Sequence, residues 1–149
     1  MTAVKDLNGE KILIKIGDGG SPETFTHDCL INTERGIDFS GDVNQGVVPD
    51  CDDPSAPGWK YAIVDGLSAT INGAGTLHSA SVESFFNWFS SGASKNVQAW
   101  IDVLAADGGG YWSGAFVLTS FSITGPRKDK ATCSITLVSD GALTWTDAA

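Results

Sequence analysis

Two histidines, three cysteines and one acidic run are the residues whose types could do chemistry. His27 and His78 are far apart in sequence. No G-x-S-x-G, H-E-x-x-H or phosphate-binding loop accompanies them, so no serine is matched with a base at a spacing that would activate it. Both read as structural or surface residues. Asp50-Cys51-Asp52-Asp53 could be a calcium loop, but the glycine and glutamate that an EF-hand needs are not at the required spacing, and the run reads as a solvated acidic loop. Cys29, Cys51 and Cys133 are odd in number and widely spaced, which argues against a disulfide framework and a zinc site. They read as reduced thiols, and a Cys29–Cys51 bridge has no support in the spacing. No catalytic residue, metal or cofactor is expected. The densest basic patch, Arg127-Lys128-Asp129-Lys130, falls on a predicted turn and reads as a solvated tip or a subunit contact. One such patch without interleaved aromatics does not make a nucleic-acid site.

The charge points the same way. The 149 residues carry nine basic against eighteen acidic side chains, a formal charge of −9. Binding to DNA or to an anionic membrane depends on Lys and Arg, so neither is expected to be tight. No apolar run is long enough to cross a bilayer. Met1–Leu7 has no apolar core, so no signal peptide is predicted. The length suits one domain, residues 1–149.

Eighteen glycines and few charges suggest short strands joined by turns. Lys11–Ile16 alternates with Ile12, Ile14 and Ile16 on one face, and Gly17–Gly20 supplies a hairpin turn. A weaker strand pair covers Thr24–Asn32 and Asn32–Ser40. Residues 41–58 break the pattern with three prolines, four aspartates and no basic residue, and read as a long loop. In a compact domain a loop longer than about 12–15 residues is usually functional or disordered. Ser68–Leu77 alternates, with Gly73 and Gly75 allowing close approach. A helix follows, capped by Ser79 or Ser81 and stopped by Gly92. Its stripe of Val82, Phe85, Phe86 and Phe89 is spaced to pack on a sheet. Strands are then expected over Val97–Ala105, Tyr111–Thr124, Ala131–Ser139 and Ala142–Thr146. In the third of these Cys133, Ile135 and Leu137 turn inward and Thr132, Ser134 and Thr136 outward. The fold class is mainly β, a β-sandwich or partial barrel with one flanking α-helix. The polar strand faces carry Ser, Thr and Asn rather than charge, and weakly charged strands pair readily with other chains. Of the five tryptophans, Trp59 and Trp145 are placed best for an interface.

The ordered features resemble the phage major tail tube protein of long non-contractile tails and gene transfer agents. The likeness is carried by Lys11–Ile16 (KILIKI), Gly58-Trp59-Lys60, Asp65-Gly66-Leu67 and Ala69–Gly75 (ATINGAG). It continues through Gly114–Ser120 (GAFVLTS), Ala131–Leu137 (ATCSITL) and Ser139–Trp145 (SDGALTW), and so covers most of the chain from about Gly9. The chain departs from the family in the 41–58 segment, which is longer and richer in Asp and Pro.

The resemblance implies a β-sandwich with a flanking helix whose copies form hexameric rings stacked into a tube. Strands of neighbouring subunits close into one barrel around a lumen. Such a tube grows on a tape-measure protein, meets tail terminator and distal tail proteins, and passes double-stranded DNA without gripping it. The protein would then sit in the virion tail, be assembled in the host cytoplasm and insert in no membrane. On this reading Asp42, Asn44, Asp50, Asp52, Asp53 and Trp59 are candidates for subunit or ring contacts, and Asp102, Thr132, Ser134 and Thr136 for the lumen wall. Two alternatives follow. One is the tube protein of a contractile injection or type VI secretion system. The other is a carbohydrate-binding β-sandwich using Trp100 and Trp112 as a platform.

Overall fold

The computed structural model describes residues 4–20, 23–27 and 33–148. Cys29 and the predicted strand end at 28–32 lie outside them. Among the described residues eight strands and one α-helix follow in order: β1 (Ile12–Gly17), β2 (Phe25–His27), β3 (Glu34–Val48), β4 (Trp59–Thr76), α1 (Val82–Ser91), β5 (Ser94–Ile101), β6 (Gly110–Thr124), β7 (Thr132–Ser139) and β8 (Thr144–Asp147). All the strands belong to one antiparallel sheet, ordered β2-β1-β5-β6-β7-β4-β3, with β8 also on β6. The sheet curls into a half-barrel, so of the two expected architectures the partial barrel is the one formed.

The buried face follows from apolar side chains at every second position. Ile14, Val97, Ala99, Phe116, Leu118, Cys133, Ile135, Leu137, Ala69 and Ile71 come from five adjacent strands and are buried together. The cross-strand register aligns them, with Ile71 opposite Leu137 and Leu137 opposite Leu118. β6 is long enough to pair with β5 along one edge and with β8 and then β7 along the other. A bulge between Leu118 and Ser120 inserts one residue, so Phe121 still lies opposite Ile135 on the core face. Bulges of this kind bend a strand and increase its twist.

The helix closes the open side. Phe85 and Trp88 are its buried side chains. Phe85 stacks on Phe121 at 5.9 Å, and the Trp88 Nε1–H donates to the Ala93 carbonyl at 2.8 Å. The expected stripe is therefore corrected. Val82 is half-buried, but Phe86 and Phe89 are exposed. Five large apolar residues in ten positions give two overlapping stripes at helical period, and the one containing Trp88 also offers the indole N–H a carbonyl. Gly92 ends the helix in the left-handed conformation at φ 66°, as a C-terminal glycine stop should. Ser81 occupies the N-cap position, but its hydroxyl makes no capping bond.

Two further boundaries differ from expectation. β5 runs Ser94–Ile101 rather than 97–105, because the chain turns at Asp102, whose N–H donates to the Lys11 carbonyl at 2.8 Å. Residues 41–48 are strand rather than loop: β3 continues to Val48 and pairs with β4 back to Trp59. Only the tip, residues 49–58, is loop.

Candidate assembly surfaces

The β3–β4 hairpin outgrows the sheet that carries it. β4 pairs with β7 only from Thr70 to Thr76, whereas its pairing with β3 goes on to Val48 and Trp59. The outer part is a two-stranded arm. At its root the register slips between Asp42 and Val43, with Asp42 opposite Gly66 and Val43 opposite Val64. Asp65 is the extra residue, and the arm bends there. Beyond the bulge Val43, Val47 and Val64 share one face, and Val48, Trp59, Tyr61 and Ile63 the other. Trp59 is 91% exposed and Val48 65%. The Tyr61 ring lies across Gly46, where any Cβ would overlap it. An isolated two-stranded ribbon is at best marginally stable in water, and apolar side chains on both of its faces call for cover from outside the chain.

The six residues expected at contacts divide between limb and tip. Asp42 and Asn44 lie on β3 and Trp59 begins β4, while Asp50, Asp52 and Asp53 lie in the tip. The tip is internally tied. Asp50 accepts the Asp52 N–H at 2.9 Å, Asp53 accepts the Ser55 hydroxyl at 2.9 Å, and the Asp53 carbonyl accepts the Ala56 N–H at 3.1 Å. Cys51 is exposed there.

At the arm's base an apolar groove of about 630 Å³ is lined by Phe39, Leu67, Trp112, Leu143 and Trp145. Trp112 meets Phe39 at 5.1 Å and Trp145 at 4.7 Å. Leu67 is 84% exposed. Missing from the sequence reading was this convergence of β3, β4, β6 and β8. Trp100 sits on the other face, stacked on Tyr111 at 4.4 Å beneath Lys15. Trp100 pairs with Tyr111 and Ala99 with Trp112, so Trp100 and Trp112 point to opposite faces and cannot form one sugar platform. Of the five tryptophans only Trp88 is core.

The face of β7, β4 and β6 turned away from the core is a carpet of small polar side chains. Thr132 and Ser134 are exposed and Thr136 is half-buried. In register beside them lie Asn72, Thr76, Ser120, Ser122 and Thr124. Thr136 Oγ1 is 3.3 Å from Asn72 Oδ1, and Asn72 Nδ2 donates to Asp38 at 3.4 Å. None of these residues is Lys or Arg. Asp102, expected with them, is not. It follows Ile101, which pairs with Gly110 at one end of β6, while Thr132 pairs with Thr124 at the other.

An arm without cover, an apolar groove and a polar wall without Lys or Arg are surfaces suited to assembly. The pattern of the phage tail tube protein family matches residues 6–145. The chain belongs to that family. No curated protein sequence matches it. This tail tube protein is similar in fold to solved structures. The tail of an empty gene transfer agent particle, refined with C6 symmetry, aligns at a TM-score of 0.75 and 24% identity, covering 95% of this chain and 99% of that one. The SPP1 tail tube aligns at 0.61 and 12%, over 96% and 80%. The sheath–tube complex of an extracellular contractile injection system aligns at 0.61 and 15%, over 99% and 100%.

Proposed function

We propose that copies of this chain form hexameric rings that stack into a tail tube, and that the tube conducts double-stranded DNA. The observation that carries the reading is the arm, a ribbon with apolar side chains on both faces that its own chain leaves uncovered. Neighbouring copies are the cover that a repeating assembly supplies, and joining their sheets closes half-barrels into a continuous wall without free edges. The polar carpet around Thr132, Ser134 and Thr136 then faces the lumen. Without Lys or Arg it offers phosphates no counter-charge to hold them. The tape-measure, tail terminator and distal tail proteins are the further partners of such a tube, and the virion tail its location. A contractile-system tube shares the fold, but the greater likeness in both TM-score and identity is to the gene transfer agent tail, and we favour that class.

Removal of the arm tests this. Deleting residues 43–65 joins Asp42 to Gly66, leaving an Asp-Gly two-residue turn to close the Gly41–Leu67 pair, a favoured hairpin loop. The shortened protein should fold as a monomer and form no tubes under negative-stain microscopy. Tubes from this deletion would overturn the role given to the arm.

A further inference from the structure

The arm ends in an acidic tip, and a basic turn stands at the opposite pole of the same sheet. Asp50, Asp52 and Asp53 are all exposed, and no basic residue lies between Arg35 and Lys60. The β6–β7 turn holds Arg127, Lys128 and Lys130 within four positions, also exposed. It contains three of the nine basic residues in a chain of net charge −9. Among the described residues the one ion pair found is Lys5–Asp107, at 3.3 Å, so none of these six charges is paired with another described residue.

Register fixes the separation. The basic turn closes beyond the Thr124–Thr132 pair, and Thr132 lies opposite Thr76. Thr76 is the last residue of the 18-residue β4, and Trp59, beside the tip, is the first. Such a strand has a contour length of roughly 55 Å at about 3.3 Å per residue. The two charged poles cannot meet within one chain. A second copy placed end to end brings them together, because identical units repeated by one operation must join different surfaces, pole to opposite pole.

We infer that the arm of one copy docks along a second copy stacked beyond its tip, with Asp50, Asp52 and Asp53 set against that copy's Arg127–Lys130 turn. The inference rests on the proposed tube and names the partner surface of its arm. The apolar faces supply the contact area. The charged poles set its direction, since tip against tip or turn against turn would oppose like charges.

Charge reversal tests it in the full chain. One variant carries D50K, D52K and D53K, and the other R127E, K128E and K130E. All six side chains are exposed, so each variant should melt within a few degrees of wild type. Each alone should need at least tenfold more protein than wild type to form tubes. A one-to-one mixture should assemble near the wild-type concentration, because the reversed tip of one variant then faces the reversed turn of the other. Wild-type assembly should also weaken as salt rises from 50 to 500 mM. If both variants form tubes at the wild-type concentration, or the mixture assembles no better than either alone, the docking is wrong and the tube reading stands. If wild type itself forms no tubes, both fall.

Discussion

Replacing Trp59 by alanine puts the arm's role into numbers. Its side chain is 91% exposed and closes the last β3–β4 pair, opposite Val48, so folding of the single chain gains little from it. An interface that covered it would remove roughly 150–250 Å² from water, a ceiling of about 4–6 kcal/mol at ~25 cal/mol per Å². Truncated interface anchors lose about 2–4 kcal/mol, because part of the ceiling goes to ordering the side chain. In the proposed stack each subunit gives one arm and receives one, so the loss acts once per added subunit. The critical concentration for assembly should rise roughly 30- to 1,000-fold. Pelleting of tubes over a dilution series measures it, and a thermal melt of the dissociated protein is the control. A critical concentration within threefold of wild type, at an unchanged melting temperature, would refute the burial of Trp59 between copies.

Four other outcomes follow from the same structure. Trp88→Ala removes a buried ring and its bond to Ala93 and should cost about 3–5 kcal/mol in denaturant unfolding. Phe86→Ser on the exposed side of α1 should change monomer stability by under about 1 kcal/mol; equal costs would reverse the helix orientation. Lysine at Thr132, Ser134 and Thr136 together should leave tube formation intact but slow DNA release from particles, which a fluorescent dye-uptake assay times; unchanged release would remove these residues from the lumen wall. Asp18 accepts the Gly20 and Thr24 N–H groups, and these bonds, Gly20 first, hold its carboxyl below the ordinary 3.8. A lowered pKa in the folded state means that its support for the β1–β2 turn is present above that value and lost as pH falls through the folded one. Carboxyl NMR should find Asp18 titrating below a free aspartate, and a normal or raised value would contradict the turn geometry.

Much of this was legible in residue order. β7 was readable to the face because Cys133, Ile135 and Leu137 alternate with hydroxyl side chains over a one-sided core. β6 was readable as one strand over Tyr111–Thr124, though not the place of its bulge. The arm was hidden for a physical reason. Alternation marks a strand with one wet and one dry face, and beyond Asp42 each limb has no core behind it within its own chain. Gly41-Asp42-Val43-Asn44-Gln45-Gly46 therefore shows a single large apolar residue among glycine and polar ones and looks like loop. Trp88 was missed because the neighbouring phenylalanines offered an equally periodic stripe, and the Ala93 carbonyl favours the one with Trp88. Asp102 was assigned to a strand that ends one residue earlier.

Cryo-electron microscopy of concentrated purified protein, seeded with sheared tubes, shows directly whether copies cover the arm. Hollow tubes of stacked six-fold rings are expected, with Thr132, Ser134 and Thr136 lining the channel and the arm buried between copies. Protein that stays monomeric on every seed, or tubes whose arms project uncovered into solvent, would contradict that expectation.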